Sequence, residues 1–183
     1  IDVNGNLIVI WQVMNIFGNK SLLLTMLSSE GEIVDGWPEG GLRVSDSEED
    51  FYLGQIELTE SGIMVGWLDE RDGDAIYSKS FSYEGSETLA EYLVTSESPL
   101  AFTLKMSSNA IPVFVWTDNR SGDSDIYMKI GDAEEIPVCI LSYEQKGEAL
   151  HVVEGGIVVD WEDYREGGLY SDLYYQMYTF DGS

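Results

Sequence analysis

Apolar positions in this chain come in short runs that end on tryptophan. The runs are Leu7-Ile8-Val9-Ile10-Trp11, Ile63-Met64-Val65-Gly66-Trp67, Ile111-Pro112-Val113-Phe114-Val115-Trp116 and Ile157-Val158-Val159-Asp160-Trp161. Five or six residues rich in β-branched and aromatic side chains, entered from Gly or Asn, predict buried strands. A polar turn comes after each Trp, and then a second apolar run: Ala75-Ile76-Tyr77, Asp125-Ile126-Tyr127 and Asp172-Leu173-Tyr174 in the last three copies. Two strands joined by a loop containing Gly and Asp predict a hairpin. Further strand candidates are Gly41–Val44, Gln55–Leu58 and Ala101–Leu104, and no stretch carries the period of a long amphipathic helix.

The four Trp residues stand 56, 49 and 45 positions apart, and three of the four arginines stand four residues after one of them. The resulting copies are Trp67-x-Asp69-x-Arg71, Trp116-x-Asp118-x-Arg120 and Trp161-x-Asp163-x-Arg165, whereas Trp11 is followed by Val13 and Asn15. Self-similarity at this period marks a repeat architecture. About four strands in each of four copies predicts an all-β chain, a β-propeller of four blades of about four antiparallel strands. The approximate repeats are 1–55, 56–100, 101–148 and 149–183, within one domain. Neither end carries an obvious strand to complete the other's blade. The expectation is therefore a four-bladed ring with unusual closure or, preferred, a segment of a larger propeller.

The apolar strand, Trp-x-Asp-x-Arg, Gly and Asp-Ile-Tyr together resemble the propeller repeats of large secreted bacterial surface proteins, many bearing a C-terminal sorting domain. Gly36–Val44 and Ile136-Pro137-Val138-Cys139 resemble the outer segments joining successive blades. The resemblance implies a propeller at the cell surface or outside the cell, with further domains of a larger chain as neighbours.

Side chains two and four residues beyond Trp share one side of an extending strand, which sets a carboxylate beside a guanidinium and the Arg plane near an indole. Arg suits both a bidentate carboxylate pair and an aromatic face, so each trio is read as a structural staple of its hairpin. The acidic turns offer a second use. Asp69, Asp74, Asp118, Asp123 and Asp125 place oxygen ligands around Gly bends, as calcium requires. An Arg within each loop opposes a cation, and ordinary turn chemistry explains the same residues. No other cofactor is expected.

Charge narrows the partners: 34 acids against 9 bases give −25. Such a surface repels nucleic acid and anionic lipid, and no apolar run is long enough to span a bilayer. The lone His151 and lone Cys139 allow neither a multi-histidine metal site nor a disulfide within the chain, and no serine sits in a nucleophile elbow. With no nucleophile and base in view, the leading expectation is a non-catalytic extracellular binding or scaffolding module for a glycan or protein, and not an enzyme. Tyr174, Tyr175 and Tyr178 are examples of aromatic contact surface. The alternatives are a glycoside-processing enzyme using a carboxylate pair and a purely structural spacer.

Overall fold

A computed structural model describes residues 1–45, 47–71, 73–165 and 170–183, in two compact units, Ile1–Leu93 and Val94–Ser183. The described residues form strands and turns with no helix, and hence no helix long and apolar enough to cross a membrane. In the first unit, β1 (Leu7–Met14), β2 (Lys20–Leu27) and β3 (Leu42–Arg43) form one antiparallel sheet. A second sheet runs β4 (Phe51–Leu58), β5 (Ile63–Asp69), β6 (Ala75–Phe81), β7 (Glu87–Thr95). The second unit holds β8 (Pro99–Met106), β9 (Pro112–Asp118), β10 (Asp125–Ile130) and β11 (Ile136–Cys139) in one sheet. Its other sheet is β12 (Gln145–Val153), β13 (Gly156–Asp163) and β14 (Asp172–Tyr178).

Each sheet is therefore an up-and-down meander. The Trp strand is second in the two complete sheets, and its hairpin partner places Tyr77, Tyr127 or Tyr174 directly opposite Trp67, Trp116 or Trp161. The last three meanders open before the Trp run, on β4, β8 and β12, a few residues ahead of the repeat bounds drawn from the sequence. The first sheet has no described strand beside β1, and the last none beyond β14.

The opening strands β4, β8 and β12 all slip register beside the Trp strand, between Tyr52 and Gln55, Pro99 and Ala101, and Lys146 and Ala149. A bulge puts an extra residue in one strand and re-aims its side chain. In β12 the extra residue comes after Gly147, whose φ of 67° is left-handed backbone that glycine adopts without strain.

The cores lie along the apolar runs. Leu24, Ile63, Val65 and Trp67 lie in one cluster, and Val113, Val115, Ile126, Ile157 and Trp161 in another. Trp67 and Trp116 are wholly buried, each worth roughly 4–6 kcal/mol of transfer free energy at 150–250 Å² apiece. Trp11 is 38% exposed, its indole donating to Thr25 Oγ1 at 3.2 Å.

Candidate functional site

The strand ends at the Asp of each copy, and the chain then turns, so the Arg arrives by the turn rather than along the strand. The Asp organises that turn. Its Oδ2 accepts the indole N–H of its own Trp at 3.3 Å in Asp69, 2.9 Å in Asp118 and 3.3 Å in Asp163. Its Oδ1 accepts the backbone N–H of Arg71, Arg120 or Arg165 at 2.9, 3.0 and 2.8 Å. The guanidinium returns over the turn and pairs with the same carboxylate. All three carboxylate side chains are fully buried, which such charges tolerate only when paired and hydrogen-bonded.

The Arg plane lies on tyrosine, not on the indole. Arg71, Arg120 and Arg165 stand 4.0, 3.9 and 3.9 Å from the ring centres of Tyr77, Tyr127 and Tyr174. Each Tyr stacks in turn on its cross-strand Trp at 6.2, 6.2 and 6.3 Å. The turn folds the Arg back past its own strand, so it meets the residue opposite Trp. Each copy is thus a four-member cluster of Trp, Asp, Arg and Tyr. Burial pushes the Asp69 and Asp163 carboxyls up. The hydrogen bonds from Arg side chain, Arg backbone and Trp outweigh that and hold both below the ordinary carboxylate value.

The copies differ in what lies beyond the Asp. Arg71 Nη1 also pairs with Glu91 on β7, and Arg120 Nη1 with Glu135 Oε2 at 2.6 Å, just before β11. Among the described residues Arg165 pairs with Asp163 alone and its buried Nε has no hydrogen-bond partner. From the preceding sheet, Ser45 Oγ donates to Asp69 Oδ2 at 3.3 Å, and Cys139 Sγ stands 3.8 Å from Asp163 Oδ2. Burial, and then the Asp163 charge, push the Cys139 thiol up to about 11. Ser45, Cys139, Glu91 and Glu135 belong to no motif in the sequence. A signal for two of them was there: Ser45 and Cys139 each stand directly after a Val and 24 residues before their Asp.

The proposed calcium ligands are dispersed in use. Asp69 and Asp118 spend their oxygens on Arg and Trp, Asp123 Oδ2 accepts the Tyr143 N–H at 3.0 Å, and Asp125 accepts the Ser121 hydroxyl. Asp74 is exposed on its turn, and the neighbouring Asp72 lies outside the described residues. Asp125 Oδ1 is buried without a partner, and burial, aided by Asp118 and Asp123, raises that carboxyl. Among the described residues no group of three or more His, Cys, Asp or Glu side chains is arranged to hold a metal.

One further carboxyl stands apart. Glu148, the residue carried by the β12 bulge, reaches the neighbouring sheet and accepts the Thr117 hydroxyl of β9 at 2.5 Å. Burial raises its carboxyl above the ordinary glutamate value, against the opposing hydrogen bond from Thr117. His151 is exposed and lies 2.8 Å from Asp160 Oδ2.

The meanders and their repeated cluster define an all-β, propeller-like protein. Its fold resembles the crystal structure of an endo-arabinase from Bacteroides thetaiotaomicron VPI-5482, with a TM-score of 0.55 and 10% identity. The match covers 96% of this chain and 72% of that one. No protein-family model and no curated protein matches the sequence. The structural match corrects the expectation of a non-catalytic binding or scaffolding module that is not an enzyme. An enzyme carries the fold there, and glycosidases need only two carboxylates, which no sequence spacing marks. A missing nucleophile and base therefore argued nothing against catalysis.

Proposed function

We propose that this chain is a propeller glycosidase, or the greater part of one, acting on a polysaccharide. The observation that carries the reading is the fold match to an endo-arabinase over 96% of the chain. Glu148 supports it from within. A general acid needs a carboxyl raised above its ordinary value, and burial at a strand bulge moves this one in that direction. The Thr117 hydroxyl fixes its orientation, and bulges are common beside active sites. The Asp residues of the repeated clusters are unsuited to the task, because Arg and Trp already occupy their carboxylate oxygens.

The test is release of reducing ends from arabinan and a panel of other polysaccharides. Cleavage of at least one substrate is expected, with a loss of about 100-fold or more in Glu148→Gln, the scale of a positioned acid. Circular dichroism of that variant should match the parent. A panel giving no reducing ends would end the reading, and full activity in Glu148→Gln would remove Glu148 from it.

A further inference from the structure

Among the aspartates of the acidic turns, Asp125 stands out by what its oxygens do. The residue is 1% exposed; its Oδ2 accepts the Ser121 hydroxyl, and its Oδ1 is buried with no hydrogen-bond partner among the described residues. Gln145 repeats the pattern at 0% exposure. Its amide nitrogen donates to the Tyr143 carbonyl at 2.8 Å, and its Oε1 is buried, again with no partner among the described residues. The amide cannot be turned over, because a carbonyl accepts only from its nitrogen. Both residues sit on one seam of the second unit. The Gln145 backbone N–H donates to the carbonyl of Ser124, next to Asp125, at 2.7 Å, and the Tyr143 N–H donates to Asp123 Oδ2 at 3.0 Å.

The repeat does not demand either polar group. Asp125 pairs with Asp118 as Ala75 pairs with Asp69. Gln145 opposes Asp163 as Phe51 opposes Asp69 and Pro99 opposes Asp118. Alanine, phenylalanine and proline bring no side-chain oxygen to these positions. Two buried acceptors cannot satisfy each other, and leaving both unpaired is costly. A cation answers both. The Ser121 hydroxyl and the Asp123 and Ser124 carbonyls add oxygens along the same turn. The nearby side-chain cations are spent elsewhere, Arg120 on Asp118 and Glu135 and Lys146 on Glu144. Burial, with the Asp118 and Asp123 charges, pushes the Asp125 carboxyl up, a penalty that a bound cation reverses.

We propose that Asp125 Oδ1 and Gln145 Oε1 are ligands of a calcium site, completed by oxygens of the turn 121–124. Calcium accepts amide, hydroxyl and main-chain oxygens beside a carboxylate in flexible geometry, whereas magnesium demands a strict octahedron and keeps its waters. Few charged ligands imply weak binding, with a Kd of about 10⁻⁴–10⁻³ M. The site ties the first residue of β10 to the first of β12, and so one sheet to the next.

The experiment strips the full chain with chelator and follows its melting temperature against calcium, with magnesium and sodium at matched ionic strength as controls. A saturable rise is expected with calcium alone, and calorimetric titration should read one site. In Asp125→Asn and in Gln145→Met the midpoint should move up by about tenfold or more. Asp74→Asn, which removes an exposed carboxylate from the equivalent turn, should leave it in place. Asp125→Ala copies the residue of the earlier repeat; it should melt no lower than the native chain in chelator and gain nothing from calcium. An equal rise with magnesium, or in every variant, would mean that cations merely screen the −25 charge, and would overturn the proposal. No response to calcium would overturn it too, leaving the two oxygens to share a proton or a water. None of these readouts depends on glycosidase activity.

Discussion

Arg120 and Arg165 occupy the same place in two neighbouring hairpins, yet among the described residues one is held by two carboxylates and the other by one. Both receive the Asp two residues back, both lie on the Tyr opposite Trp, and both have the Trp indole tied to the same Asp. Only Arg120 meets Glu135, and only its Nε reaches the carboxylate. The inner half of the cluster is therefore built by the hairpin alone, from residues between Trp116 and Tyr127 in one copy and between Trp161 and Tyr174 in the other. The outer half depends on the strand that closes the sheet. A repeat in sequence guarantees the first half and not the second.

The strongest way to break this comparison is to remove the shared anchor. Asp118→Ala leaves the Trp116 indole and the Arg120 guanidinium without their acceptor in a fully buried position. A loss of about 3–5 kcal/mol is expected in urea unfolding, and a loss below about 1 kcal/mol would mean that the anchor is incidental. Next come Arg120→Lys and Arg165→Lys, since lysine cannot present the fork. A cost of about 2 kcal/mol is expected at 120, where two carboxylates are held, and about half that at 165. Equal costs would show that Glu135 adds nothing to the cluster.

Acid titration sharpens the same point. Asp69 and Asp163 have folded values depressed below the unfolded one, near 3.9, so their contribution is present above that pH. It is lost as pH falls from about 4 through the folded values. Asp163→Asn should flatten the acid limb of the stability curve, and an unchanged limb would deny the pairing. The smallest effect is expected from Cys139→Ser, which gives the second unit the hydroxyl that Ser45 supplies in the first. Stability should move by about 0.5 kcal/mol or less. With its thiol raised to about 11, native Cys139 should resist alkylation at pH near 7.5 and react on unfolding.

What the sequence disclosed depends on the range of each interaction. The hairpins were legible because Trp, Asp and Arg recur at fixed short intervals, and Arg is rare enough in this chain to mark them. The aromatic partner of Arg is Tyr, where the strand spacing had pointed to Trp. Spacing along one strand does not show that the turn carries Arg over the facing residue, Tyr127 for Arg120. Glu91 and Glu135 lie 20 and 15 positions from their arginines, at no fixed interval, among 34 acids that look alike in sequence. Glu148 was invisible for a different reason. A bulge leaves no compositional trace beyond Gly147, and only the bulge aims that carboxyl at Thr117. Function was least legible of all, because carboxylate chemistry depends on burial rather than on motif.

The contact from Ser45 to Asp69, and its counterpart from Cys139 to Asp163, run in one direction along the chain. Each links the close of one sheet to the turn of the next, in both cases from earlier residues to later ones. A ribosome delivers the polypeptide in that same order. Asp69 and Asp163 thus emerge to find their upstream donors already synthesised, whereas Glu91 and Glu135 reach Arg71 and Arg120 only once later sequence has been delivered.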